Sequence, residues 1–243
     1  MKPGADQSTK LAQPAPSAAA TPVIIPNGTL EALKWLGLVL MTLDHTNKYL
    51  FDGKLPIAFE AGRLAMPIFG FVLAANLARP GAFAAGLYGR TMRRLAIYGV
   101  IATPFFLALA DRVGGWWPLN ILFMLLTAAG VACLLQKNGI VNRIGAIALF
   151  ALGGSVVEFW WFGVAFVLAA KWYVTSARVA ALIVCALPLA GLQLLDNGLW
   201  ALAALPLMVV APHVDIRVPR LRHVFYVFYP LHLALLWLVK AVL

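Results

Sequence analysis

The chain has 243 residues, 63% of them hydrophobic and only 12% charged, with a mean hydropathy of +0.88. A soluble domain of this length cannot hide so much apolar surface, whereas a bundle facing lipid need not hide it. The formal net charge of +10 would suggest nucleic acid in a soluble protein; here the placement of charge matters more than its sum, and no nucleic-acid partner is expected. A porin-like barrel is excluded, because its strands of about ten residues alternate polar and apolar positions, and these runs stay apolar for about 16 to 22 residues. The expectation is an all-α, polytopic transmembrane helical bundle in the lipid bilayer.

Residues 1–29 are Pro/Ala/Ser-rich and too poor in large apolar groups to offset the entropy of ordering, so a disordered cytoplasmic tail is predicted. No apolar core with a cleavage site follows the start, and Leu30 onward reads as a span that stays in the protein. Residues 30–243 then form one transmembrane domain. Further spans are predicted at roughly 57–79, 94–110, 118–136, 178–195, 197–212 and 223–243, each apolar and mostly bounded by charge or Gly/Pro. Residues 144–173 are too long for one span and short for two; Gly153, Gly154, Ser155 and Glu158 interrupt the middle, which suggests a short hairpin. Cys133 and Cys185 lie in apolar runs without metal-ligand spacing, and no metal site is expected.

Charge supports the hairpin. With about nine spans and a cytoplasmic N-terminus, 14 of the 19 basic residues fall on the inner side, the positive-inside pattern. Counting 144–173 as one span would move Lys171, Arg178 and the Arg217–Arg222 cluster outside. The acids run the other way, with Asp44, Asp52, Glu60, Asp111, Glu158 and Asp196 in the outer half. The chain therefore reads as a multi-pass membrane protein with its N-terminus inside, its C-terminus outside and an acidic, outward-facing cavity.

Polar groups recur at one depth. At a rise of about 1.5 Å per residue, Asp44 and His45 lie about 15 to 18 Å up the first span and His232 about 15 Å above Arg222. Arg63 enters from outside to roughly 9 Å below the outer edge of the second span, and Glu158 sits at the hairpin tip. Ionisable groups at such depth are expensive and mark functional sites.

Each has a plainer reading. Asp44 and His45 are about 100° apart on a helix, so they cannot face one neighbour squarely; Asp44 instead reaches Lys48 at i+4, where the two can form an interfacial ion pair. Glu60 and Arg63, at i,i+3, can neutralise each other, although Pro67 one turn on frees a backbone carbonyl near Arg63. Tyr226, Tyr229 and His232 line one face of the last span around Pro230; an aromatic belt explains Tyr226 but does not require His232. Asn120 and Glu158 are each polar just inside a span. The basic loop Arg90, Arg93, Arg94 is a topology signal that also suits a phosphate-bearing donor.

Taken together, Leu33–His45, Gly62–Phe69, Glu158–Val164 and Phe225–Leu233 resemble the TraX family, associated with N-terminal acetylation of conjugative pilin. The resemblance spans about residues 30–242. It implies an integral-membrane acyltransferase of the bacterial inner membrane, its C-terminus periplasmic, distantly similar to the wider class in which a histidine of an early span serves acyl transfer, with acetyl-CoA as co-substrate and a pilin subunit as acceptor. By that analogy His45 is the base, Asp44 supports it, and Arg63 and His232 belong to the same catalytic site.

The groups suit that chemistry. Histidine is a base with pKa near neutral, and a cation or hydrogen-bond donor is needed for the tetrahedral oxyanion. Neither a GxSxG elbow nor a reactive cysteine offers itself, so direct transfer is simpler than an acyl-enzyme. Glu158, Tyr229 and Asn120 are the expected substrate contacts, and Arg90, Arg93 and Arg94 the donor contacts. Two rival functions use the same residues: O-acylation of a surface glycan or lipid, and a proton-coupled transporter with Asp44, His45, Arg63 and Glu158 as relay. The transporter predicts internal repeats, and none is visible in the spans.

Overall fold

The computed structural model describes residues 22–110, 115–196, 198–221 and 223–243. Most of the tail, and Asp111, Arg112 and Arg222, lie outside the described residues. The described chain is all-α. Its helices are α1 (Asn27–Leu50), α2 (Pro56–Gly62), α3 (Ala65–Leu77), α4 (Leu87–Leu109), α5 (Ile121–Leu135), α6 (Ile140–Ala148), α7 (Trp160–Ser176), α8 (Val179–Gly191), α9 (Ala204–Val210) and α10 (Val224–Val242).

Three of these runs are long and apolar enough to cross a bilayer: Pro56–Leu77, which joins α2 to α3, Leu87–Leu109 and Val224–Val242. That is the mark of an integral membrane protein. Four apolar runs are shorter, namely Ile121–Leu135, Ile140–Val156, Val179–Leu195 and Trp200–His213. The described residues thus show three long candidate spans together with shorter apolar helices. α1 has 24 residues, but Glu31, Lys34, Asp44 and Lys48 dilute its apolar character. The predicted span 197–212 is a broken series of 3₁₀ turns around α9.

α3 is the centre. Its residues are apolar all round and nearly all buried, as expected of a helix packed on every side. Gly70 lets α3 approach α7, where a Cβ would come within 3.1 Å of Phe166 and Val167. α4, α5 and α10 complete the inner layer, while α6 exposes Ile140, Val141, Ile144 and Ile147, the pattern of a lipid-facing helix.

Two boundaries differ from expectation. α4 starts at Leu87, so Arg90, Arg93 and Arg94 stand on its first two turns and not in a loop. The 144–173 stretch folds as two helical runs with Glu158 at the tip, but the Gly153–Gly154 pair does not interrupt the first: α6 continues through a π-turn at Leu149–Gly153 to Gly154–Val156, and the chain reverses at Val157–Phe159.

Candidate active site

α1 presents its two adjacent polar residues to different neighbours. Asp44 faces α2, where its Oδ1 accepts a hydrogen bond from Arg63 Nη2 at 2.8 Å, with both side chains only 14% exposed. The sequence placed Asp44 against Lys48 and Arg63 against Glu60. The tertiary pair prevails because Pro67 breaks the second span at its i−4 residue, Arg63, between α2 and α3. Arg63 Nε also donates to the Phe59 carbonyl at 3.3 Å, and its guanidinium lies 4.4 Å from the Phe59 ring centroid. Gly62 makes the approach possible, since a Cβ there would come within 2.7 Å of the Asp44 Cγ.

His45, a third of a turn on, faces α10. Its Nδ1 is 2.7 Å from Nε2 of His232, the ring planes 11° apart. The protons can be assigned by elimination. His232 Nδ1 is 3.0 Å from the Phe228 carbonyl, which only accepts, so Nδ1 carries the proton. In the neutral ring His232 Nε2 is then an acceptor, and His45 Nδ1 must donate to it. The lone pair of His45 is left on Nε2, available as a base. Tyr49, one turn further along α1, flanks the His45 ring with centroids 5.7 Å apart.

Tyr229 and Glu158 adjoin this pair. The Tyr229 ring meets His232 edge-on at 5.5 Å, its hydroxyl faces the backbone N–H of Ile121 at the start of α5, and Glu158 and Tyr49 lie within electrostatic reach of it. Glu158 is set there by the reversal after α6: Glu158 N–H donates to the Leu119 carbonyl and Leu119 N–H to Val156, each at 2.8 Å. The indole of Trp117 donates to Ser155 and that of Trp161 to Ala151. Phe159 and Trp160 both adopt left-handed φ, at 59° and 48°, a strain of about 1–2 kcal/mol per residue that the surrounding contacts must hold.

Asn120 is buried but fully engaged. Its side-chain oxygen caps α5 through Leu122 N–H, and its amide donates to the Gly99 carbonyl and to Thr103. It ties α4 to α5 and so supports the Ile121 amide behind Tyr229.

A cavity of about 660 Å³ opens between α1, α3, α4, α5 and α10. Among the described residues five cations line it, Lys34, Arg79, Arg90, Arg94 and Arg220, with Glu31 the single carboxylate. Deeper in, the walls are apolar, and the cavity reaches Met41 and Tyr229. Met41 is one helical turn before His45, and Tyr229 one turn before His232, so the inner end lies about 5 to 6 Å along either helix from the histidine pair. Arg93 does not line the cavity and points outward. Among the described residues, no group of three or more His, Cys, Asp and Glu comes together to hold a metal.

Residues 29–240, which include every residue of this site, match the TraX protein family. The chain belongs to the TraX family. It is also 35% identical to Protein TraX of Escherichia coli over 129 residues. That match covers 52% of this chain and 48% of the relative, so the aligned stretch spans about half the length of either TraX protein. No solved structure matches.

Several participants carry no signal that sequence reasoning used. Asn47, 1% exposed, clasps the α1–α2 turn through both polar atoms to Leu55; its position one turn beyond Asp44 was the available clue. Lys34, Arg79 and Arg220 read along the chain only as topology charges, and converge because the ends of α1, α3 and α10 meet.

Proposed function

We propose that this TraX-family protein is an integral-membrane acyltransferase that moves an acetyl group from acetyl-CoA to the N-terminal amine of a conjugative pilin. The observation carrying this reading is the histidine pair one turn beyond the inner end of a basic cavity. Guanidinium groups suit the donor's phosphates, apolar walls suit its pantetheine arm, and a volume of about 660 Å³ lies in the range of small-molecule sites.

The acceptor amine approaches His45 Nε2. An α-amino group titrates near 7.7–8.0, so a neutral fraction exists at physiological pH and a neutral imidazole can take the proton released on attack. Nitrogen adds to the thioester carbonyl, the tetrahedral oxyanion collapses, the carbon–sulfur bond breaks, and the proton held on His45 passes to the leaving thiolate. His232 keeps His45 in the reactive tautomer by accepting from Nδ1. Tyr229 stands between cavity and histidines and has a hydroxyl to offer the oxyanion. Arg63 is engaged by Asp44 and Phe59, so its part is to brace α2 against α1 and hold the helix that carries His45.

Sidedness follows from the same reading: the basic mouth faces the cytoplasm, where the donor is, and the Glu158 side faces the periplasm. The test is intact-mass measurement of pilin from cells with the wild-type protein, without it, or with His45→Ala. An acetyl adduct of 42 Da seen only with the wild type is expected, about the mass of one acetyl group replacing hydrogen. An unchanged adduct in all three refutes the acceptor.

A further inference from the structure

The cations of the cavity fall into two sets. Arg90 and Arg94 are i,i+4 on α4 and form a column leading inward toward Leu95 and Tyr229; Arg90 Nη1 donates to the Ala85 carbonyl and Arg94 lies 5.9 Å from the Tyr226 ring centroid. Neither meets a carboxylate among the described residues. Lys34, Arg79 and Arg220 come instead from α1, the α3–α4 connection and the segment before α10, and act electrostatically on one another.

This second set is short of negative charge. Glu31 bonds Lys34 at 2.6 Å and lies 4.0 Å from Arg220. Arg79 is met by the neutral Asn27, whose side-chain oxygen accepts from Nη2 at 2.6 Å. Burial first, and then the neighbouring Arg220, hold the Arg79 guanidinium below the usual arginine range. Three like charges gathered from three elements against one carboxylate disfavour the fold unless a further anion joins them. A phosphate monoester, with about −1.5 to −2 charge and three acceptor oxygens, comes close to balancing what Glu31 leaves unmet.

We propose that the Lys34–Arg79–Arg220 cluster binds a phosphate monoester at the far end of the donor, apart from a diphosphate held along Arg90 and Arg94, so that the site selects nucleotide thioesters carrying both groups. The proposal rests on the acyl-CoA donor reading, and the 3′-phosphate of coenzyme A is the group concerned. A phospholipid with a single phosphodiester satisfies only one of the two cationic sets.

The experiment uses the full chain in nanodiscs of neutral lipid and measures Kd for coenzyme A and for dephospho-coenzyme A, which lacks the 3′-phosphate. The wild type is expected to bind coenzyme A about 10-fold to 100-fold more tightly, the size of a charge-assisted hydrogen-bonding site. Arg79→Gln and Arg220→Gln should weaken coenzyme A and abolish that preference while leaving the Kd for dephospho-coenzyme A within about twofold, the two losses being the same interaction seen from either side. Correct folding of each variant is checked by that unchanged second Kd. Equal binding of both nucleotides by the wild type overturns the inference and leaves the donor reading intact. Binding of neither nucleotide overturns both.

Discussion

His45 and His232 are 187 residues apart in the chain, yet Nδ1 of one lies 2.7 Å from Nε2 of the other with nearly parallel rings. The Phe228 carbonyl at the far side of His232 fixes the direction of both protons, leaving His45 Nε2 as the basic nitrogen.

The two histidines should therefore fail differently. His45→Ala is expected to lower kcat for acetyl transfer by about 10²–10⁴-fold, the scale of a lost general base. His232→Phe keeps the ring volume but removes the acceptor, and should lower kcat by a smaller factor while leaving the donor KM unchanged. Steady-state kinetics on protein in nanodiscs separates the cases; an equal rise in donor KM for both variants would place them in donor binding instead.

The Asp44–Arg63 pair predicts strong coupling. Removing either partner leaves the other charge poorly solvated between α1 and α2, at a cost of about 3–5 kcal/mol for a well-buried pair. Asp44→Leu and Arg63→Met should each lower thermal stability in detergent markedly, and the double variant should recover most of it. If the double variant loses as much as the two singles summed, the pair is not what joins these helices.

Gly62 tests the same interface from the backbone. Gly62→Ala inserts a methyl within 2.7 Å of the Asp44 Cγ, and overpacking of this kind costs about 1–3 kcal/mol. Thermal unfolding should shift accordingly, and acetyl transfer should fall because α2 and α1 part; Gly89→Ala, where an added Cβ meets nothing within 4 Å, is the control for general loss of a glycine.

Among the three arginines of α4, position decides the outcome. Arg94 lines the cavity and Arg93 does not. Arg94→Gln should raise the acetyl-CoA KM by roughly 10-fold or more, the loss of a charge-assisted hydrogen bond, with Arg93→Gln unchanged. Equal effects would return the cluster to a topology signal.

Asn120 separates support from contact. Asn120→Asp keeps the oxygen that caps α5 but sets a carboxylate against the Gly99 carbonyl, so a stability loss of about 1–3 kcal/mol is expected from the unmet buried groups. Acceptor KM measured at a temperature where the variant is folded should match the wild type; a raised acceptor KM there would make Asn120 a substrate contact.

Which side chains would be chemically unusual was legible in the sequence. His45, His232, Arg63 and Glu158 stand out because each interrupts an apolar run, and lipid makes every such interruption costly. Their partners were less legible. Asp44 looked toward Lys48 because i+3 and i+4 spacings are the neighbour relations a single helix offers; its observed partner comes from another segment, across a turn that Asn47 clasps. The hairpin around 144–173 was legible from charge and its tip at Glu158 from polarity, but the glycines before it were not a break, because a π-turn carried the helix through them.

By itself the sequence determined the class and the ingredients: continuous apolar runs require helices, since lipid leaves backbone groups no other partner, and the recurring depth of ionisable residues required that they meet. Only the tertiary structure decided the pairing. Helix packing turned two faces of α1 in different directions, giving Asp44 to Arg63 and His45 to His232, and drew Lys34, Arg79 and Arg220 from three elements to one rim. Those outcomes depend on helix crossing and rotation, which follow from side-chain packing across segments distant in the chain and are not encoded in any one of them.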